Sequence, residues 1–69
     1  MRKIKPVYLY RLRLLQDGPR FYAPQNTNRY LEKRGLIQPT GRMHANGWHQ
    51  EYRITDAGRR ALAVEASET

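Results

Sequence analysis

Apolar residues along this chain are spaced in stretches that polar breaks divide. In the first stretch Tyr8, Leu12 and Leu15 recur at i, i+4 and i+7, one stripe of a helix. The same residues also permit a strand, because Tyr8, Tyr10, Leu12 and Leu14 alternate with Leu9, Arg11 and Arg13. We take helix over residues 6–16, since Pro6 suits a first helical turn and Asp17-Gly18-Pro19 makes a stop. "RFYAPQN", Arg20 to Asn26, then reads as a short connection. Phe21 and Tyr22 anchor it, and Pro24 disfavours helix at Ala23.

A second helix is predicted from Asn26 or Thr27, either of which can cap it, to about Arg34. Leu31 and part of Tyr30 form its buried side, while Asn28, Arg29, Glu32 and Lys33 face outward. Gly35 supplies the left-handed residue after the last turn, and Leu36 the apolar contact that accompanies such a cap. Residues 36–55 read as a β-hairpin. Asn46-Gly47 is placed at its tip as a type I′ turn, which needs positive φ at both positions. That register sets His44 against His49, Arg42 against Glu51 as an ion pair, and Thr40 against Arg53. Pro39 and Gly41 mark the first strand as irregular or an edge. Trp48 is expected to pack on the first helix.

Thr55 is a good N-cap for a closing helix, with Asp56 at its positive end. Ala57, Ala61 and Val64 line one face. Gly58 within it costs about 1 kcal/mol relative to Ala, which points to close backbone packing there. The chain divides into a basic, mobile arm (1–5), one domain (6–66) and a frayed tail (67–69).

"NRYLEKRGLI", a hairpin, and then "YRITDAGRRAL" resemble the winged helix-turn-helix DNA-binding proteins of bacteria and phage, most nearly the multiple-antibiotic-resistance and phenolic-acid-repressor types. The resemblance covers residues 9–64. It implies an α+β fold, a minimal winged helix made of a helix, a short connection, a recognition helix, a β-hairpin wing and a C-terminal helix. Residues 27–34 would be the recognition helix and residues 42–49 the wing tip. The chain departs from the family pattern between Pro19 and Asn26, where "RFYAPQ" stands in place of a full helix.

Charge supports a polyanionic partner. Residues 1–34 carry nine Lys or Arg against Asp17 and Glu32, whereas residues 35–69 carry four of each sign, so the whole excess of +7 lies in the first half. The partner expected is double-stranded DNA, read by a basic transcriptional regulator. Asn28 and Arg29 are suited to base edges of the major groove, and Lys33 lies on the same outward side. Gln25 and Thr27 are placed for a phosphate at the helix N-terminus. Arg42, His44 and His49 lie on the wing. Arg2, Lys3 and Lys5 form the basic arm. A homodimer fits so small a DNA-binding unit. The alternative is a phage-type inhibitor or adaptor that docks an acidic host protein through Tyr22, Tyr30 and Trp48.

Other classes find little support. With 69 residues the core is thin, since a chain of this size buries only about 60% of its unfolded surface. There is no Cys, which excludes disulfides and thiolate metal sites and fits a cytoplasmic setting. His44 and His49 offer two ligands where structural zinc takes four, so no metal or other cofactor is expected. The only Ser is Ser67, remote from either histidine in sequence, and no enzyme activity is expected. No apolar run approaches the roughly 20 residues of a membrane span.

Overall fold

The first stretch resolves as helix. In the computed structural model, which describes residues 4–67, α1 spans Pro6–Gln16, with Pro6 in its first turn and Leu12 and Leu15 buried. Residues 1–3 of the basic arm, Arg2 and Lys3 among them, lie outside the described residues. The end of the arm is fixed against the closing helix, because the Ile4 N–H donates to Glu65 Oε2 at 3.3 Å.

The connection "RFYAPQN" is a correction. Its first three residues form β1, Arg20–Tyr22, which pairs antiparallel with the hairpin's second strand. Next come α2, Asn26–Lys33, the hairpin strands β2, Ile37–Met43, and β3, Gln50–Ile54, and α3, Asp56–Ser67. The sheet order is β1-β3-β2, so both β1 and β2 are edges. Three helices and a three-stranded antiparallel sheet make an α+β fold, compatible with a minimal winged helix. The closing helix extends to Ser67, one residue into the expected tail.

The cap after α2 forms as its residues dictate. Gly35 has φ 75°, its N–H donates to Glu32 O at 2.9 Å, and the Leu36 N–H reaches back to Leu31 O at 3.0 Å. That pair of bonds satisfies two carbonyls the helix end would otherwise leave unpaired. At the other end the N-cap is Gln25, without a side-chain bond, so neither Asn26 nor Thr27 caps the helix.

The hairpin departs from the predicted register in one segment. Met43 pairs with Gln50, as a tip at Asn46-Gly47 requires, but Pro39 pairs with Tyr52 and Gln38 with Arg53. Thr40 therefore does not face Arg53. Two extra residues on β2 are absorbed between Pro39 and Met43, where Gly41 has φ 94° and Pro39 has no N–H to give the ladder. The tip is not a type I′ turn, since among its residues Gly47 alone has positive φ. A four-residue loop closes instead through His44 N–H to His49 O (2.8 Å) and Gly47 N–H to His44 O (2.9 Å). Asn46 Oδ1 accepts from the Trp48 and His49 N–H groups. An acceptor side chain thus satisfies the tip without a left-handed Asn.

The core is Leu12, Leu15, Leu31, Ile37, Tyr52, Ile54 and Leu62, with Tyr8, Tyr22 and Tyr30 packed around it. Each buried Leu or Ile contributes roughly 1.5–3 kcal/mol, a large share of the about 5–15 kcal/mol that holds a small domain. On α3 the buried face is centred on Gly58 and Leu62, while Val64 is half-exposed, so the face predicted through Val64 is displaced. Thr55 Oγ1 caps α3 by accepting from the Gly58 N–H, and donates to Gly35 O at 2.6 Å. Gly58 packs where a Cβ would lie 2.3 Å from Leu36 O. Among the described residues no helix is long and apolar enough to cross a membrane.

Candidate nucleic-acid interface

The back of α2 is fastened to α1 by three contacts. Leu31 is fully buried, Tyr30 stacks on Tyr8 with ring centroids 4.1 Å apart, and Arg11 Nη1 donates to Asn28 Oδ1 at 2.5 Å. The last contact corrects the sequence reading. Asn28 is only 1% exposed and does not face outward; its carboxamide is turned into the molecule. It stands three residues before Leu31, on the same buried stripe. Arg11 likewise stands between Tyr8 and Leu15 on the inner stripe of α1, its guanidinium 4.1 Å from the centre of the Tyr22 ring. A cation held over a ring face and bonded to an amide keeps part of the interaction it loses on leaving water. Arg11 Nε, Asn28 Nδ2 and the Tyr22 hydroxyl are buried in this cluster without hydrogen-bond partners.

The outward side of α2 keeps Arg29, Glu32 and Lys33, with Gln25 at its start; all four are exposed. Thr27 is half-buried. Arg34 follows at the helix end, 4.9 Å over the Tyr30 ring. Beside this helix every residue from Gly41 to Trp48 is exposed, so the hairpin end projects into solvent.

Strand alternation divides the hairpin's side chains between two faces. On the face away from α2, Thr40 donates to Glu51 Oε1 at 2.6 Å and Arg42 Nε approaches the same oxygen at 3.9 Å. The expected Arg42–Glu51 pair therefore exists, but the nearer Thr40 hydroxyl is its stronger half. His44 meets Phe21 edge-on at 5.4 Å and His49 at 6.0 Å on that same face. The structure therefore does not gather Arg42, His44 and His49 with Arg29 and Lys33 on one surface. Lys5 lies at the N-cap of α1, exposed.

The face toward α2 carries a cleft of about 290 Å³. Gln25, Arg29 and Glu32 line it from the helix; Tyr22, Met43, Gln50 and Tyr52 line it from the sheet, and Gly47 and Trp48 from the tip. Trp48 is 61% exposed, so it does not pack on α1 as expected; the tip carries it beyond the reach of the core. Burial pushes the Tyr52 phenol above its usual 10.0; the Glu32 carboxylate adds to this and the Arg29 guanidinium opposes it. Of the three aromatics assigned to a protein-docking face, only Trp48 is openly exposed, since Tyr30 is stacked on Tyr8 and Tyr22 lies under Arg11.

Sequence reasoning missed Met43, Gln50 and Tyr52 as neighbours of α2. Their signal was the two-residue period of the hairpin, which puts them on one face once the tip is fixed. Comparison with protein-family models, with curated proteins and with solved structures finds no match to this chain.

Proposed function

We propose that this chain is a small DNA-binding protein of minimal winged-helix form, acting in transcriptional regulation, with α2 entering the major groove and the hairpin flanking it. The observation that carries this reading is the setting of α2. It is a short helix fastened at the back through Leu31, Tyr30 and Asn28, which presents Arg29 and Lys33 outward beside an exposed hairpin. Fixing the helix from behind lowers the ordering cost of any contact its front makes. The positive excess of the first half supplies attraction to phosphate.

With Asn28 buried, direct readout falls to Arg29, whose guanidinium matches the two acceptors of guanine. Gln25 adds an amide at the helix start. Lys33 and Arg34 serve phosphates, and Arg42 reaches a second stretch of backbone from the wing's far side. Base selection resting on one arginine is weak, so phosphate contacts dominate affinity.

The experiment is a titration of labelled duplex DNA at two salt concentrations. If about four cations meet phosphates, log affinity falls against log salt with a slope of roughly −3.6. The double variant Arg29→Ala/Lys33→Ala weakens the complex and reduces that slope by about 1, the share of the Lys33 phosphate contact. Absence of a complex at low salt, or a double variant that binds as the parent does, refutes the assignment.

A further inference from the structure

Placing α2 in a duplex groove leaves the hairpin side of the cleft, Met43, Trp48 and Gln50, without a role. Its chemistry exceeds what phosphate contact needs. Trp48 and Met43 stand open at the tip, 61% and 51% exposed, and the buried Tyr52 lines the cleft from the core side. Gln25 and Gln50 bring an amide from the helix and another from the sheet, and Arg29 adds a cation.

We propose that this cleft takes one unpaired base of a DNA strand, so that the protein favours single-stranded or locally opened DNA over a closed duplex. The proposal rests on the DNA-binding reading above and specifies its ligand. Three physical grounds support it. The cleft, about 290 Å³, falls just below the roughly 300–1,000 Å³ of pockets for drug-sized ligands, which suits one flat ring system. An exposed indole is a stacking platform of the kind single strands use, and every base has a face to offer it. Each glutamine amide presents both a donor and an acceptor to a base edge, while Glu32 accepts from an exocyclic amino group. A paired base within the stack presents no free face to Trp48, which is why the preference is for open DNA. The strand's phosphates meet Lys33 and Arg34, beside the cleft's Arg29.

Trp48 is the only tryptophan of the chain, so its fluorescence reports the event directly. The test compares a short single strand, the same sequence as a duplex, and an abasic strand of equal length. The single strand quenches Trp48 and the abasic strand does not. Labelled-DNA anisotropy then follows Trp48→Ala, a change at an exposed site that circular dichroism verifies as folded. This variant lowers single-strand affinity by about 5- to 150-fold, the loss of one stacked base, and so reduces the strand-to-duplex preference. Trp48→Phe retains most of it. Equal binding of abasic and ordinary strands, an unchanged preference in Trp48→Ala, or quenching by an acidic peptide where strands give none overturns the base site. If duplex binding stays salt-sensitive in the first two cases, the DNA reading survives without the cleft. Failure of every DNA form to bind removes both.

Discussion

Asn28 is where sequence and structure assign opposite roles, and its removal tells them apart. A base reader on the outer face is dispensable for folding, whereas the buried carboxamide seen here accepts from Arg11 at 2.5 Å with only 1% of the residue exposed. Asn28→Ala deletes that acceptor. A hydrogen bond to a charged group contributes about 1.5–3 kcal/mol, and its loss leaves Arg11, whose Nε is already unpartnered, with a second buried donor to satisfy. Part of the cost is offset, because Asn28 Nδ2, itself buried without a partner, is removed as well. The net expected is a destabilisation of about 1–2 kcal/mol, which for a domain of this size lowers Tm by about 4–16 °C. Asn28→Asp keeps an acceptor for Arg11 and removes the orphan donor, so it should unfold above Asn28→Ala at neutral pH. The assay is thermal unfolding by circular dichroism, paired with duplex titration well below the transition, where Asn28→Ala should bind within about twofold of the parent. Wild-type Tm for Asn28→Ala together with a tenfold loss of DNA affinity would show that Asn28 works on the outer face and that the α1–α2 packing described here is wrong.

Two further expectations concern the scaffold. In a solvent-exposed helix Gly→Ala stabilises by about 1 kcal/mol, but at Gly58 the new Cβ would lie 2.3 Å from Leu36 O and 2.6 Å from Ile54 Cγ1. Leu36 O is held by the Thr55 N–H at 3.0 Å and yields little, so Gly58→Ala should destabilise by about 1–3 kcal/mol in denaturant unfolding; a raised midpoint would contradict the close approach. Tyr52 has its folded pKa raised above 10.0, so the folded state holds that proton more tightly than the unfolded chain. The stability tied to it is complete below pH 10 and is lost as pH rises through the folded value. Tyr52→Phe should therefore lose less stability above pH 10 than the parent, and parallel alkaline limbs would exclude burial of that hydroxyl.

Much of the fold was legible because local chemistry determined it. Pro6 and Asp17-Gly18-Pro19 bound α1, Gly35 closes α2 and Thr55 opens α3, each through backbone geometry that its own residue type favours. β1 was not legible for the converse reason. A three-residue strand has no period to detect, and Arg20–Tyr22 is extended only because β3 offers it a free edge thirty residues away in sequence. The shifted register below Met43 was hidden in the same way. Pro39 and Gly41 announced irregularity, but how many residues it absorbs depends on Ile37 reaching the core opposite Ile54 while the tip keeps its own pairing.

The site was less legible than the fold, because helical position fixes which direction a side chain leaves the helix but not what meets it there. Asn28 and Arg11 are both polar residues on otherwise apolar stripes, and hydropathy assigns each of them to solvent. Taken together they share a charge-assisted bond, so burial that is costly for either alone is partly offset in the pair. Trp48 is the reverse case. Its apolar surface assigns it to the core, but Gly41 to Trp48 form a hairpin end that extends past the helices, and no residue there has a core to enter. A large aromatic retained in such a place costs solvation without contributing to folding, and that imbalance is the physical reason to seek its partner outside the chain.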